Sequence, residues 1–330
     1  MSIPDRFDAF RIHRDDAGHR SGIEQLAIDD LSPGEVVIEV VHSSVNYKDA
    51  LAGTGTGRIL RRFPLNGGID VAGHVVQSRD PAFREGDAVL VTGCGLSETR
   101  DGGYGRYARL ESRWTIPLPA GLTLRESMIL GTAGFTAGLA LLRMQENRQH
   151  PDLGPLAVTG ATGGVGSLAI AIFARAGYTV HAISGKADEA PYLRSLGAAE
   201  VLGREALAVD APMASARFGG GLDNVGGSML ASLLAQTAPY GNVASAGLAA
   251  SAELPATVMP FIIRGVSLLG VASAGTARDI REAIWAHLAS DWKPAALDAI
   301  CTAETGLAGL PDIFRKMLAG GSLGRTLVRF

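Results

Sequence analysis

The chain has 330 residues, of which 47% are hydrophobic and 19% charged, and its formal net charge is −3. That is enough apolar material for a large core and, at this length, about two domains. Basic residues occur in pairs such as Arg61-Arg62, without the stripe that a nucleic-acid surface requires, so no nucleic-acid partner is expected.

The start, "MSIPDRFDAF", has no basic region followed by an apolar one, so no secretory signal is expected. No uninterrupted apolar run approaches the roughly 18 residues of a membrane span, and no membrane partner is expected. Cys94 and Cys301 are the only cysteines, and the seven histidines lack ligand spacing. Neither a disulfide framework nor a Cys-rich zinc site can be built from them. A reducing, cytoplasmic setting is the expectation.

Residues 1–125 alternate short β-branched runs with Gly, Pro and Asp: "VVIEVV", "VAGHVVQS", "DAVLVTG", then "YARLESRWTIPLP". With turn signals "SPGE" and "REGD" between them, they predict a mostly antiparallel, barrel-like β region. At the end of the run "EVVIEVVHSSV" stand Asn46, Tyr47, Lys48 and Asp49. An unpaired buried polar group costs roughly 1–3 kcal/mol, so four in a row form either a surface turn with a capping aspartate or the wall of an active site.

From "TLRESMILGTAGFTAGLALLRM" onward the rhythm becomes strand, tight turn, helix, strand. "PLAVTG" and "YTVHAIS" read as strands around the apolar helix "GGVGSLAIAIFARAG", with Gly177 where a C-terminal cap belongs. "ADEAPYLRSLG" is the next helix, and "AEVL", "GLDNVGG", "PYGNVASAG" and "VSLLGVAS" supply further strands. This predicts an α/β fold with a doubly wound parallel sheet over 126–275 and a return segment, 276–330, that completes the first domain.

Within "VTGATGGVGS", Ala161-x-Gly163-x-x-Gly166 is the dinucleotide fingerprint with alanine first. Small residues there allow a tight turn, close approach of backbone to pyrophosphate, and packing of helix on strand. NAD sites place Asp or Glu about 20 residues further on, against the ribose 2′-OH. Here the corresponding stretch is Ser184-Gly185-Lys186, with Arg204 as a second cation. A hydroxyl and cations attract a 2′-phosphate, so NADPH is the expected cofactor. Asp188 and Glu189 read as first-turn charges of the next helix.

"SSVNYKDAL", "GIDVAG", "GTAGFTAG", "VTGATGGVGS", "YLRSLGA" and "LPATVMPFIIRGVSLLGV" together resemble the medium-chain dehydrogenase/reductase superfamily over nearly the whole chain. The likeness is to its zinc-free quinone-oxidoreductase branch, and within it to the acrylyl-CoA reductase group. The resemblance implies a GroES-like β domain, a Rossmann domain for NADPH, and a homodimer formed through the edge strand "VSLLGVAS". It implies that Tyr47 touches the cofactor and that Asn46 and Asp70 sit near the chemistry, the last two replacing the catalytic Cys and the Gly-His-Glu of the zinc enzymes. Without thiolate or imidazole, a tetrahedral zinc site cannot form there. Thr132 is implied at the nicotinamide ribose, and Thr162, Gly163, Gly164 and Val165 at the phosphates. Ser184, Gly185, Lys186 and Arg204 are implied at the 2′-phosphate, and Leu248 and Ser273 on loops over the nicotinamide. Asp70 is expected to accept from backbone or from Lys48.

The chain departs from the group at Gly67-Gly68, at Cys94, at Arg100-Asp101 and in "AGGSLGR", which lacks an expected asparagine. The changes at 94 and 100–101 are expected on a loop facing substrate; Cys94 itself reads as a small buried hydrophobe. The expected reaction is NADPH-dependent reduction of the C=C bond of a short 2-enoyl-CoA such as acrylyl-CoA. Quinone or enone reduction is the enzyme alternative, and a non-catalytic NADPH-binding protein the alternative of another class. Arg58, Arg61 and Arg62 are candidates for the phosphates of CoA.

Overall fold

The computed structural model describes residues 3–330. In chain order, strands β1 (Phe7–Asp15), β2 (Gly18–Leu26) and β3 (Val36–Val45) precede helix α1 (Tyr47–Thr54). Strands β4 (Leu65–Asn66), β5 (Asp70–Ser78), β6 (Ala88–Thr92), β7 (Tyr107–Leu110) and β8 (Ile116–Pro117) lead to helix α2 (Leu124–Glu146). The sequence β9 (Leu156–Thr159), α3 (Gly164–Arg175), β10 (Val180–Ile183), α4 (Ala190–Ser195), β11 (Ala198–Leu202) follows, then β12 (Phe218–Asp223), α5 (Gly227–Ala235), β13 (Thr237–Ser245), α6 (Met259–Arg264) and β14 (Ser267–Gly270). The chain closes with α7 (Arg278–Leu288), α8 (Leu297–Ile300), β15 (Cys301–Thr305), α9 (Leu310–Leu318) and β16 (Arg325–Arg329).

Two compact units result. The first holds residues up to Thr132, Ala274–Ala283 and Cys301–Phe330; the second holds Ala133–Ser273 and Ile284–Ile300. The chain changes unit seven residues later than the sequence suggests, because the run "TLRESMILGTAGFTAGLALLRM" has no composition shift at 125. The break inside α2 is Gly131, whose φ of 51° and ψ of −156° leave the helical region. Residues 284–300, expected in the return segment, cluster with the second unit. There Trp285 stacks on Phe135 at 6.4 Å, and a Cβ on Gly138 would meet Ile284 at 3.0 Å.

In the first unit, a sheet runs β15-β16-β3-β5-β6-β8, with β7 also on β3, and a smaller sheet runs β2-β1-β4. Pairing is antiparallel except between β15 and β16. Apolar alternation fills the interior with Val36, Ile38, Val40, Val71, Val75, Val89 and Val91. A second cluster is aromatic: Phe10, Tyr104 and Phe314 lie within 5.8–6.4 Å of one another, edge-on or stacked.

The second unit is a six-stranded parallel sheet of order β11-β10-β9-β12-β13-β14, the doubly wound order with the chain reversing beside β9. Helix α3 is apolar on nearly every face because Leu168 through Phe173 are all buried. The turn between β9 and α3 therefore sits at the switch point, where doubly wound sheets bind ligands.

Candidate active site

Two candidate groups of residues stand out, one in each unit. In the second, β9 ends at Thr159 and the chain turns through Gly160, at φ 60°, into the Gly163 N-cap of α3. Gly166 has no room for a side chain: a Cβ would lie 2.3 Å from the Gly160 carbonyl oxygen and 2.7 Å from the Ala161 Cα. At Gly163 the nearest atom to a Cβ is 3.4 Å away, leaving that backbone accessible from outside. Gly163 supplies no side-chain cap, so the first N–H groups of α3 and the positive end of its dipole remain for an anion. Asp223 braces the turn from β12, accepting from the Thr159 hydroxyl at 2.7 Å and from Gly226 N–H at 2.7 Å. Burial pushes its carboxyl above the ordinary range.

At the end of β10, the Ser184 hydroxyl accepts the Lys186 N–H at 3.0 Å. A Cβ on Gly185 would lie 2.8 Å from Nε of Arg204, so the guanidinium lies across that glycine. Ser184, Gly185, Lys186 and Arg204 thus form one group, while Asp188 and Glu189 open a short turn beyond it. The residues fit a 2′-phosphorylated dinucleotide, since the loop brings cations and a hydroxyl where a carboxylate would repel that phosphate. Elsewhere in this unit, Leu248 is exposed and Ser273 accepts the Thr136 hydroxyl at 3.0 Å.

In the first unit, the polar stretch after β3 is a buried network. Asp70 begins β5 and is fully buried. Its Oδ2 accepts from the Ser44 hydroxyl at 2.6 Å and from Asn46 Nδ2 at 2.7 Å. Its Oδ1 accepts from the Thr132 hydroxyl at 2.5 Å and backbone N–H at 3.0 Å. The charge partner is Arg325, at the start of β16, 3.6 Å away and 3% exposed. Because β16 runs antiparallel to β3 with Thr326 opposite Val45, the Arg325 fork reaches Val45 O and Asn46 Oδ1, each at 3.0 Å. It also donates to Ser44 Oγ at 2.6 Å and to Ile129 O at 3.0 Å. Gly131 is obligatory here: a Cβ would fall 2.6 Å from Asp70 and 2.7 Å from Arg325.

The Asn46 amide is fully engaged, its oxygen by Arg325 and its nitrogen by Asp70 and Asp49. Both amide protons of Asn46 and both carboxylate oxygens of Asp70 are thus engaged within the chain, and Asn46 Oδ1 accepts from Arg325. Asp49, at the third position of α1, accepts the N–H groups of Asn46 at 2.8 Å and Ile69 at 2.9 Å. It is buried; desolvation first, then the charge of Asp70, pushes its carboxyl up to about 7. Tyr47, at the head of α1, is 49% exposed. Thr132 donates its hydroxyl to Asp70, and Lys48 pairs with Glu98 instead of Asp70.

Of three further buried polar residues of this unit, two carry no sequence signal and the third a misleading one. Arg325 reads as an ordinary charge at a strand end, and Ser44 as part of a strand. Asp101 turns inward, against the expectation that it faces substrate: it accepts from Arg11 at 3.1 Å, from both groups of Ser32 at 2.6 and 2.7 Å, and from Asn66 N–H at 2.8 Å. Cys94 is buried, and burial pushes its thiol up, away from the reactive range. Among the described residues no three His, Cys, Asp or Glu side chains converge as a metal site. At Asn46 and Asp70 the Arg325 guanidinium occupies the place of a cation, so this donor set does not fit zinc.

Residues 32–120 match the alcohol dehydrogenase GroES-like domain, and residues 164–290 match the zinc-binding dehydrogenase family. YhfP of Bacillus subtilis (strain 168), whose name assigns it provisionally to the quinone oxidoreductases, is 43% identical over 93% of this chain and 94% of its own. Its structure with NAD bound superposes with a TM-score of 0.95, covering 99% of this chain and 100% of that one. The acrylyl-CoA reductase AcuI of Ruegeria pomeroyi is 41% identical over 98% of each chain. The yhdH oxidoreductase of Salmonella enterica, solved in complex with NADP, is 42% identical with a TM-score of 0.94, covering 98% of this chain and 99% of that one. With identity above 40% along nearly its whole length, the chain belongs to the medium-chain dehydrogenase/reductase superfamily, in the acrylyl-CoA reductase-like group.

Proposed function

We propose that the protein is an NADPH-dependent reductase of the C=C bond of a short 2-enoyl-CoA, converting acrylyl-CoA to propionyl-CoA without a metal. The observation that supports it most is the full-length identity to an acrylyl-CoA reductase. The cofactor reading rests on Ser184, Gly185, Lys186 and Arg204, which lack a carboxylate at the ribose position, and on the NADP held by the Salmonella relative. Thr162, Gly163, Gly164 and Val165, at the head of α3, hold the pyrophosphate. Bound NADPH supplies the hydride, which goes to the β-carbon of the enoyl thioester.

The protein's own contribution is placement. Asp70, itself held by Thr132, clamps Asn46 together with Arg325, and Asn46 in turn sets the first residue of α1. Tyr47 is the exposed group this clamp presents, and we assign it the contact with nicotinamide and substrate. Asn46 and Asp70 act as positioning residues. Leu248 and Ser273 are the assigned contacts to the nicotinamide end. Quinone or enone reduction is the second reading, favoured by the name of YhfP.

A homodimer is also proposed. Strand β14 ends the parallel sheet with a half-exposed edge, and Tyr240, Val258, Ile262 and Ile263 of the same unit are each more than 60% exposed. A second copy covering them would remove a pairing edge and an apolar patch together. The two free cysteines suit a reducing cytoplasm.

The function is tested by following NADPH oxidation with acrylyl-CoA, with 1,4-benzoquinone, and with NADH in place of NADPH. Fast turnover of acrylyl-CoA with NADPH alone is expected. Turnover of quinone only would replace the thioester reading with the second one, and nucleotide binding without turnover of either would mean a non-catalytic protein.

A further inference from the structure

At the far end of α1 from Tyr47 lies a cavity of about 150 Å³, contained in the first unit. Its floor is apolar, formed by Ala52, Leu60 and Phe63, and its walls carry Arg14, His19 and Arg58. Arg14 and His19 are opposite each other in the β1–β2 hairpin, so both side chains share one face. His19 is fixed: its Nε2 donates to the Gly53 carbonyl at 3.0 Å, and its ring packs where a Cβ on Gly55 would sit, 2.6 Å away. Neither Arg14 nor Arg58 has an ion-pair partner among the described residues, whereas Arg20 of the same hairpin pairs with Asp15. No carboxylate lines the cavity.

Of the three arginines singled out in "GRILRRFP", only Arg58 faces this space. Arg62 donates to Ser32 Oγ at 2.9 Å, and the Arg61 backbone N–H donates to Glu98 O at 2.8 Å. Two guanidiniums without counter-ions at the mouth of a small cavity contribute little to the fold, since each gains little by facing water. Their charge and donors suit a phosphoryl group, which takes guanidinium donors in pairs.

We propose that this cavity is a phosphoryl-anion site, with Arg14 and Arg58 as its ligands and His19 as its fixed wall. Helix α1 has eight residues, so at 1.5 Å per residue the cavity lies about 12 Å from Tyr47. The pantetheine arm of a CoA thioester is longer than that and flexible, so the phosphates of the substrate can reach the cavity while its acyl group is at Tyr47. The link to CoA rests on the enoyl-thioester reading; the anion site does not. Free phosphate or another phosphate ester would use the same two guanidiniums.

The test is the double variant Arg14→Ala/Arg58→Ala, checked for folding by circular dichroism and studied at fixed ionic strength. In the kinetic arm, KM for acrylyl-CoA should rise about tenfold, which is about 1.4 kcal/mol. The KM for the acrylyl thioester of N-acetylcysteamine, which has no phosphate, should not change, nor should kcat. In the binding arm, calorimetric titration with inorganic phosphate should show binding to the parent protein and its loss in the variant. Loss of phosphate binding with an unchanged KM for acrylyl-CoA would keep the site and assign it to a free phosphate or another ester. Equal phosphate binding by parent and variant would overturn the proposal. If no thioester is turned over by the parent protein, the functional reading fails on its own, and the binding arm still decides the anion site.

Discussion

Replacing Asp70 by asparagine changes no volume, yet should be among the most damaging substitutions in the chain. Each carboxylate oxygen faces one hydroxyl, which can turn around, and at least one N–H, which cannot: Asn46 Nδ2 at Oδ2, and the Thr132 backbone N–H at 3.0 Å from both Oδ1 and Oδ2. Whichever way the new amide is turned, its NH₂ meets one of those N–H groups. One charge-assisted hydrogen bond is lost, a matter of about 1.5–3 kcal/mol. Arg325, 3% exposed, also loses its nearest counter-charge, and breaking a buried pair costs about 3–5 kcal/mol. The two penalties overlap, so the expected loss is about 4 kcal/mol. Urea unfolding followed by circular dichroism would measure it. The activity of the folded fraction should fall in kcat, because Asn46 and Tyr47 lose their clamp, while NADPH affinity should change less, since the proposed phosphate contacts lie in the second unit. Asp70→Asn/Arg325→Met should be less damaging than the sum of the two single changes. A loss below about 1 kcal/mol for Asp70→Asn would refute the claim that the network depends on this carboxylate.

Three further outcomes are expected. Arg204→Ala and Lys186→Ala should each weaken NADPH binding by about tenfold or more with little change for NADH, as measured by fluorescence titration; equal losses for both nucleotides would remove the 2′-phosphate assignment. Asp49 makes stability fall with rising pH. Its folded carboxyl is raised from the ordinary 3.8 to about 7, so between those values the unfolded chain releases a proton that the folded chain retains. The parent protein should lose on the order of 4 kcal/mol from this group across that window and nothing further above it, while Asp49→Asn lacks this slope. Parallel urea midpoints for the two proteins from pH 4 to 7 would contradict it. Finally, Ile262→Asp/Ile263→Asp should turn a dimer into a monomer in sedimentation velocity; a parent protein that is already monomeric would remove the dimer proposal.

What the sequence made legible follows the range of the interactions. The glycine turn, the cap at Gly177 and the parallel-sheet pattern are decided by neighbours within a few residues, although "GLDNVGG" places β12 late: the strand is Phe218–Asp223 and Gly227 already opens α5. The missing acid after β10 was equally local. The clamp around Asp70 was not, because its donors come from positions 44, 46, 132 and 325, brought together only by the pairing of β16 on β3. Position 325 reads in isolation as one charge on a short apolar strand, and nothing nearby distinguishes it from Arg329, which is exposed. Asp101 misleads for the same reason. A charged residue beside Arg100 and two glycines looks like a surface loop, yet four donors from three distant segments draw it inside. Asn46 was singled out in the sequence, but the partners of its amide were not legible there. Both ends of its amide have partners on three different elements, and the proposed positioning role rests on that.

The central claim, hydride transfer from NADPH to the β-carbon of an enoyl thioester, is tested most directly with NADPH deuterated at the transferable position of the nicotinamide. Incubated with acrylyl-CoA, the protein should give propionyl-CoA with one deuterium on the β-carbon and a solvent-derived proton on the α-carbon, read by mass spectrometry and NMR. Deuterium at the α-carbon, or consumption of NADPH with no label in the acyl group, would contradict the account.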